Sequence, residues 1–63
     1  MILDRHSFNG DSEVSIQQDV ETNDGEAVFI VQVNDRTILE TKNASRAFYF
    51  YNGFVKAIEE AAL

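Results

Sequence analysis

The sequence predicts an α+β fold, in which a three-stranded antiparallel β-meander is followed by one C-terminal α-helix packed on one face. Residues 12–22 alternate between polar and apolar side chains, which is the period of a half-buried strand. The Asp-Gly pair at 24–25 is a strong hairpin signal, because such a pair tolerates positive φ. Apolar residues recur at helical spacing over 44–62. Strands followed by a helix are typical of α+β layering.

The chain of 63 residues is long enough for a single small domain. We divide it into an N-terminal arm over residues 1–11, the β-meander over 12–41 and the helix over 44–62. The arm carries the apolar residues Ile2, Leu3 and Phe8 and ends at the breaker Asn-Gly-Asp of residues 9–11. This pattern permits a short strand or an arm that covers another part of the chain, and both remain open.

The first hairpin can be given a register from its turn. If Asp24 and Gly25 are the two turn residues, the apolar side of the first strand meets the apolar side of the second, which spans residues 26–33. A slip of one residue would destroy that agreement. The pairs that this register predicts are Asn23 with Glu26, Thr22 with Ala27, Val20 with Phe29, Gln18 with Val31 and Ile16 with Val33.

The third strand is predicted over residues 36–41, after a second turn at Asn34-Asp35. Its register has two solutions. A two-residue turn places Ile38 on the core face, whereas a bulged three-residue turn places Leu39 there.

The helix is predicted to begin after Asn43, a favourable N-cap residue. Gly53 interrupts it at a cost of about 1 kcal/mol, but the apolar stripe keeps its phase. Tyr49 points toward solvent, with Phe48 at the border, and is a candidate contact aromatic. The residues predicted to face the sheet are Ala47, Phe50, Tyr51, Phe54, Val55, Ala57, Ile58, Ala61 and Ala62.

The residue types that usually carry chemistry are sparse. His6 is the single histidine and cysteine is absent, so a common metal site or a thiol nucleophile is not expected. The serines lack a recognisable nucleophile motif, and the three glycines lie too far apart for a phosphate loop. We therefore expect no catalysis, no metal and no cofactor.

Charge and hydropathy exclude further classes of function. The net charge of −6 disfavours direct binding of nucleic acid. The longest apolar run, Ala27 to Val31, is too short to cross a bilayer. The opening residues 1–8 carry no signal-peptide pattern. Together with the lack of cysteine, these observations predict a cytoplasmic protein without a membrane partner.

The acidic residues concentrate on the predicted sheet. Residues 11–40 contain eight acids and one basic residue, Arg36. We predict that these acids bind a basic surface of another protein, such as a nucleic-acid-binding protein, although a solvated face that keeps the chain soluble would have the same pattern. The predicted partner-binding residues are Glu13, Asp19, Glu21, Asp24 and Glu26.

Apolar residues also project from the outer face of the predicted sheet. Val28 and Ile30 lie there, joined by Ile38 or Leu39 according to the register. Such a face requires a cover, which the N-terminal arm, a second copy of the chain or a partner would supply. The alternative function is therefore a homodimeric structural or assembly module, with Val28, Ile30 and Leu39 in the contact.

The meander followed by a helix, in so small and acidic a chain, resembles some phage-encoded inhibitors, including anti-CRISPR proteins that mimic DNA. The resemblance covers roughly residues 12–60 and rests on architecture and charge. It implies an inhibitor, of phage or prophage origin, that occupies a basic surface without catalysis.

Overall fold

An antiparallel sheet of four strands lies against one C-terminal helix in a computed structural model, which describes residues 1–20 and 24–61. The strands follow one another in space in the order β1-β2-β3-β4. This α+β architecture and the C-terminal helix were both predicted. The elements are β1 (Ile2–Phe8), β2 (Ser12–Val20), β3 (Ala27–Val33), β4 (Arg36–Thr41) and α1 (Ala44–Ala61).

The number of strands was predicted incorrectly, because the N-terminal arm is itself a strand. β1 pairs with β2 and is joined to it by a tight turn in which Asn9 and Gly10 have φ of 52° and 81°. The middle of β1 is Asp4-Arg5-His6, so it lacks the apolar alternation that marks a half-buried strand. An edge strand tolerates such residues, since charges there discourage further pairing.

The register of the β2–β3 hairpin differs by two residues from the prediction. Ile16 lies opposite Val31, and Val20 lies opposite Ala27. With this pairing, Asp24 and Gly25 are not the two central residues of the hairpin. An even shift leaves every side chain on its predicted face, so the predicted core side is correct. Thr22 and Asn23, which the predicted pairs included, lie outside the described residues.

The β3–β4 hairpin combines parts of both predicted registers. Val33 lies opposite Arg36, so the turn has two residues, Asn34 and Asp35, with φ of 49° and 71°. The register then shifts, and Val31 lies opposite Leu39. A bulge within β4 thus turns Leu39 toward the core, and Ile38 remains 37% exposed.

The positive φ of Asp35 allows a prediction about substitutions at this position. An alanine in this left-handed conformation is strained, so Asp35→Ala should lower the free energy of unfolding by about 1 kcal/mol. Asp35→Gly should not lower it, because glycine adopts this conformation freely. Urea denaturation measures both, with Asp11→Ala in the β1–β2 turn as the control. Equal stability of the alanine and glycine variants at position 35 would contradict the prediction.

The helix begins as predicted. The Arg46 backbone N–H donates to Asn43 Oδ1 at 3.0 Å, and the Asn43 N–H donates to Thr41 Oγ1 at 3.1 Å. The Asn43 side chain therefore caps the first turn, where backbone N–H groups lack partners in the helix.

The core lies between α1 and one face of the sheet. Among the described residues, five apolar side chains are buried: Val14, Ile16, Val31, Ala47 and Tyr51. Partly buried apolar residues surround them: Leu3, Phe8, Phe29, Val33, Leu39, Phe54, Val55 and Ile58.

The aromatic residues of α1 divide differently from the prediction. Phe50 was expected to face the sheet, yet it is 40% exposed. Phe48 instead contacts Phe29, with ring centroids 6.4 Å apart. Phe54 contacts Phe8 of β1 at 6.5 Å. Among the other residues expected to face the sheet, Ala57 and Ala61 are exposed and Ala62 lies outside the described residues.

Candidate protein-interaction surface

The second face of the sheet, which we call the open face, has no cover within residues 1–20 and 24–61. The helix packs on the opposite face, and β1 lies in the plane of the sheet. The N-terminal arm, one of the three possible covers, does not lie across this face: Leu3 and Phe8 pack on the core side, and Ile2 lies opposite Gln17 in the edge strand. By strand alternation and register, the side chains of the open face include those of Arg5, Glu13, Ser15, Gln17, Asp19, Val28, Ile30, Gln32 and Glu40.

One half of the open face is polar and internally bonded. The Gln17 side-chain amide donates to Gln32 Oε1, and the Gln32 amide donates to Thr37 Oγ1 at 3.4 Å. Ser15 lies beside them with 7% of its surface exposed. These hydrogen bonds occupy the side-chain amides of Gln17 and Gln32, whereas Arg5 and Glu13 on this half form no ion pair with another described residue.

The other half of the open face is apolar with an acidic rim. Val28 and Ile30 are half-buried, and with Asp19 and Glu40 they line a shallow depression of about 580 Å³. Asp19 and Glu40 are exposed and form no ion pair with another described residue. Their carboxylates are therefore available to a cationic partner. Val20, Thr41 and Lys42 complete the lining.

Lys42 forms salt bridges with two of the predicted partner-binding residues, Asp24 and Glu26. Its Nζ lies 2.8 Å from Asp24 Oδ2 and 3.2 Å from Glu26 Oε2. The Glu26 backbone N–H also donates to Asp24 Oδ1 at 2.9 Å. The hydrogen bond from Lys42, together with that backbone bond, lowers the pKa of Asp24. The negative charge of Asp24 and Glu26 is thus partly neutralised within the chain.

The predicted site residues are only partly brought together. Glu13 and Asp19 share the open face, but they lie six positions apart along β2, a distance of about 20 Å. Glu21 lies outside the described residues. Leu39 was predicted to join Val28 and Ile30, but the β4 bulge places it against the core.

Glu40 is a candidate site residue that sequence reasoning missed. It lies opposite Ile30 on the open face and lines the same depression as Asp19. The register of β4 decides on which face of the sheet Glu40 lies. In the structure, a two-residue turn followed by a bulge places it on the open face. The bulged three-residue turn, one of the two predicted solutions, already implied this face for Glu40, because it places Leu39 on the core side.

The exposed side of α1 forms a second surface, which we call the helix face. Tyr49 is 85% exposed, as predicted, and Phe50 is 40% exposed. Arg46, Gly53 and Lys56 are also exposed. The helix face therefore combines aromatic and basic side chains.

A second depression, of about 330 Å³, lies between the end of β1 and the end of α1, where His6 and Glu59 are among its lining residues. Within residues 1–20 and 24–61, no group of three or more histidine or carboxylate side chains is placed to hold a metal ion. In the same residues no helix has the length and hydrophobicity needed to span a membrane.

Comparison of the chain with family models, curated proteins and solved structures gives no match. The function is therefore inferred from the surfaces alone. The most distinctive of these is the apolar half of the open face with Asp19 and Glu40 at its rim.

Proposed function

We propose that this chain is a small, non-catalytic acidic protein that binds a basic surface of another protein through its open face. One observation carries the proposal: the exposed carboxylates of Asp19 and Glu40, which form no ion pair with another described residue, flank half-buried Val28 and Ile30 on a face that no described element covers. A mixed apolar and acidic surface of this kind suits a protein interface better than a solvated one.

The chemistry of the open face suits lysine and arginine side chains. Their aliphatic stems can lie along Val28 and Ile30 while their charged ends reach Asp19 or Glu40. Exposed lysines and arginines cluster on proteins that bind nucleic acid. Occupation of such a cluster by this chain would exclude the nucleic acid, which is the mode of action of an inhibitor that mimics DNA.

The remaining acids act at longer range. Lys42 holds Asp24 and Glu26, so they contribute to the field around the chain more than to direct contact. With a net charge of −6, that field accelerates encounter with a basic partner and weakens as salt is added.

A capture experiment tests the proposal. The tagged chain is incubated with host lysate at low and at high salt, and bound proteins are identified by mass spectrometry. We expect a basic nucleic-acid-binding protein at low salt, with at least about tenfold less captured by Asp19→Asn/Glu40→Gln. The control, Glu59→Gln/Glu60→Gln, removes the same charge from the end of α1 and should keep capture. Capture that ignores both salt and Asp19→Asn/Glu40→Gln would contradict the proposal.

A homodimeric structural or assembly module is the second candidate. The fully buried core is small, and Val28 and Ile30 are uncovered within the described residues. Chains of this size frequently gain stability by association. Measurement of the native mass against the chain mass of 7.1 kDa separates this candidate from a monomeric inhibitor.

A further inference from the structure

The helix face and the open face are complementary in charge and lie on opposite sides of the molecule. The helix face presents Arg46 and Lys56 on either side of Tyr49 and Phe50, whereas the open face presents Asp19 and Glu40 around an apolar floor. None of these four charged side chains forms an ion pair with another described residue. Glu59 and Glu60, the acids of α1, lie at its C-terminal end.

We propose that the helix face of one copy of the chain docks on the apolar half of the open face of a second copy. Arg46 and Lys56 then pair with Asp19 and Glu40 of the neighbouring copy, and the aromatic side chains cover its Val28 and Ile30. This goes beyond binding of a different protein, although it uses the same open face.

Charge favours this head-to-tail arrangement over either symmetric one. Two open faces in contact bring the carboxylates of Asp19 and Glu40 toward those of the second copy. Two helix faces in contact bring Arg46 and Lys56 toward like charges. Juxtaposed like charges select strongly against such pairings, whereas helix face on open face joins opposite charges.

The dimensions of the two faces agree. Arg46 and Lys56 are ten residues apart, which is about 15 Å along a helix. Asp19 on β2 and Glu40 on β4 are separated by β3, which is about 10 Å across the sheet. The flexible stems of lysine and arginine cover the difference.

Gly53 supports close approach at the centre of the helix face. A Cβ atom at this position would meet nothing within 4 Å, so packing within the described chain does not require glycine. Glycine is a poor residue for a helix interior. Its small size would let the side chains of the neighbouring sheet approach the helix backbone between Tyr49 and Lys56.

Head-to-tail contact has a structural consequence. Each copy binds one neighbour through its helix face and another through its open face. Association therefore continues until a ring closes or a filament forms. A partner that binds the open face would compete with this association.

Two charge-reversed variants test the arrangement. Arg46→Glu/Lys56→Glu makes the helix face acidic, and Asp19→Lys/Glu40→Lys makes the open face basic. Sedimentation velocity over a range of concentrations measures association of each variant alone and of an equal mixture. We expect the wild type to associate, and each variant alone to need at least about tenfold higher concentration. The mixture should associate again, because each helix face now matches the open face of the other variant.

The two variants shift the net charge in opposite directions. A loss of self-association in both variants is therefore not an effect of overall charge. A monomeric wild type would overturn the proposal, as would a mixture that fails to associate. Association retained by the helix-face variant alone indicates open-face pairing, and association retained by the open-face variant alone indicates helix-face pairing; either overturns it. Capture of a basic partner by Arg46→Glu/Lys56→Glu tests the proposed function separately, since that variant keeps the open face.

Discussion

Replacement of Ile16 by alanine is expected to remove a large part of the stability of the fold. Ile16 has no exposed surface and lies at the centre of the core, opposite Val31. Truncation of a buried isoleucine to alanine costs about 2–5 kcal/mol, because apolar contacts are lost and a cavity remains. A domain of this size has a free energy of unfolding of only about 3–9 kcal/mol, so this single change removes much of it.

A matched change on the same sheet controls for the loss of an isoleucine. Ile38 in β4 is 37% exposed, and Ile38→Ala should cost less than about 1 kcal/mol. Urea denaturation followed by far-ultraviolet circular dichroism compares the two variants. Equal loss of stability in both would mean that the core does not lie between α1 and the face that carries Ile16.

Alkaline pH is expected to destabilise the fold through Tyr51. Burial of its side chain, reinforced by the nearby negative charge of Asp4, raises the pKa of Tyr51 to about 12 from 10.0. Below pH 10 the hydroxyl is protonated in both states, so stability is unaffected. Above pH 10 the unfolded chain loses the proton first, and stability falls until the folded chain also ionises near pH 12. The loss over this window reaches about 3 kcal/mol.

The variant Tyr51→Phe isolates this effect. Its free energy of unfolding should fall less steeply above pH 10 than that of the wild type, whereas Tyr49→Phe, at an exposed position, should follow the wild type. Among the described residues the Tyr51 hydroxyl has no hydrogen-bond partner. Its removal should therefore cost little at neutral pH. Parallel pH curves for the wild type and Tyr51→Phe would contradict the burial of this side chain.

The sequence predicted those parts of the fold that follow from side-chain periodicity. The alternation around Ile16 predicted which side chains of β2 face the core. The Asn43 cap and the helical spacing of apolar residues predicted the position of α1. β1 was missed because Asp4, Arg5 and His6 interrupt any alternation, as an edge strand permits. The helix wheel also placed Phe50 inward, whereas it is 40% exposed, because periodicity predicts the direction of a side chain but not how much of it is covered.

The candidate site depended on features that periodicity does not encode. The β2–β3 register is two residues from the prediction, because Asp24 and Gly25 are not the two central residues of the hairpin. The bulge at Ile38 moved Leu39 into the core and set Glu40 on the open face. Pairing of Lys42 with Asp24 and Glu26 joins residues distant in sequence, which a tally of charge along the chain does not reveal.

The central claim is that the chain binds its partner through the apolar and acidic half of the open face. The most direct measurement is nuclear magnetic resonance of the isotope-labelled chain, titrated with the captured partner at a concentration below that of self-association. We expect the largest chemical-shift changes at Asp19, Val28, Ile30 and Glu40. Changes confined to the helix face, with these four residues unaffected, would contradict it.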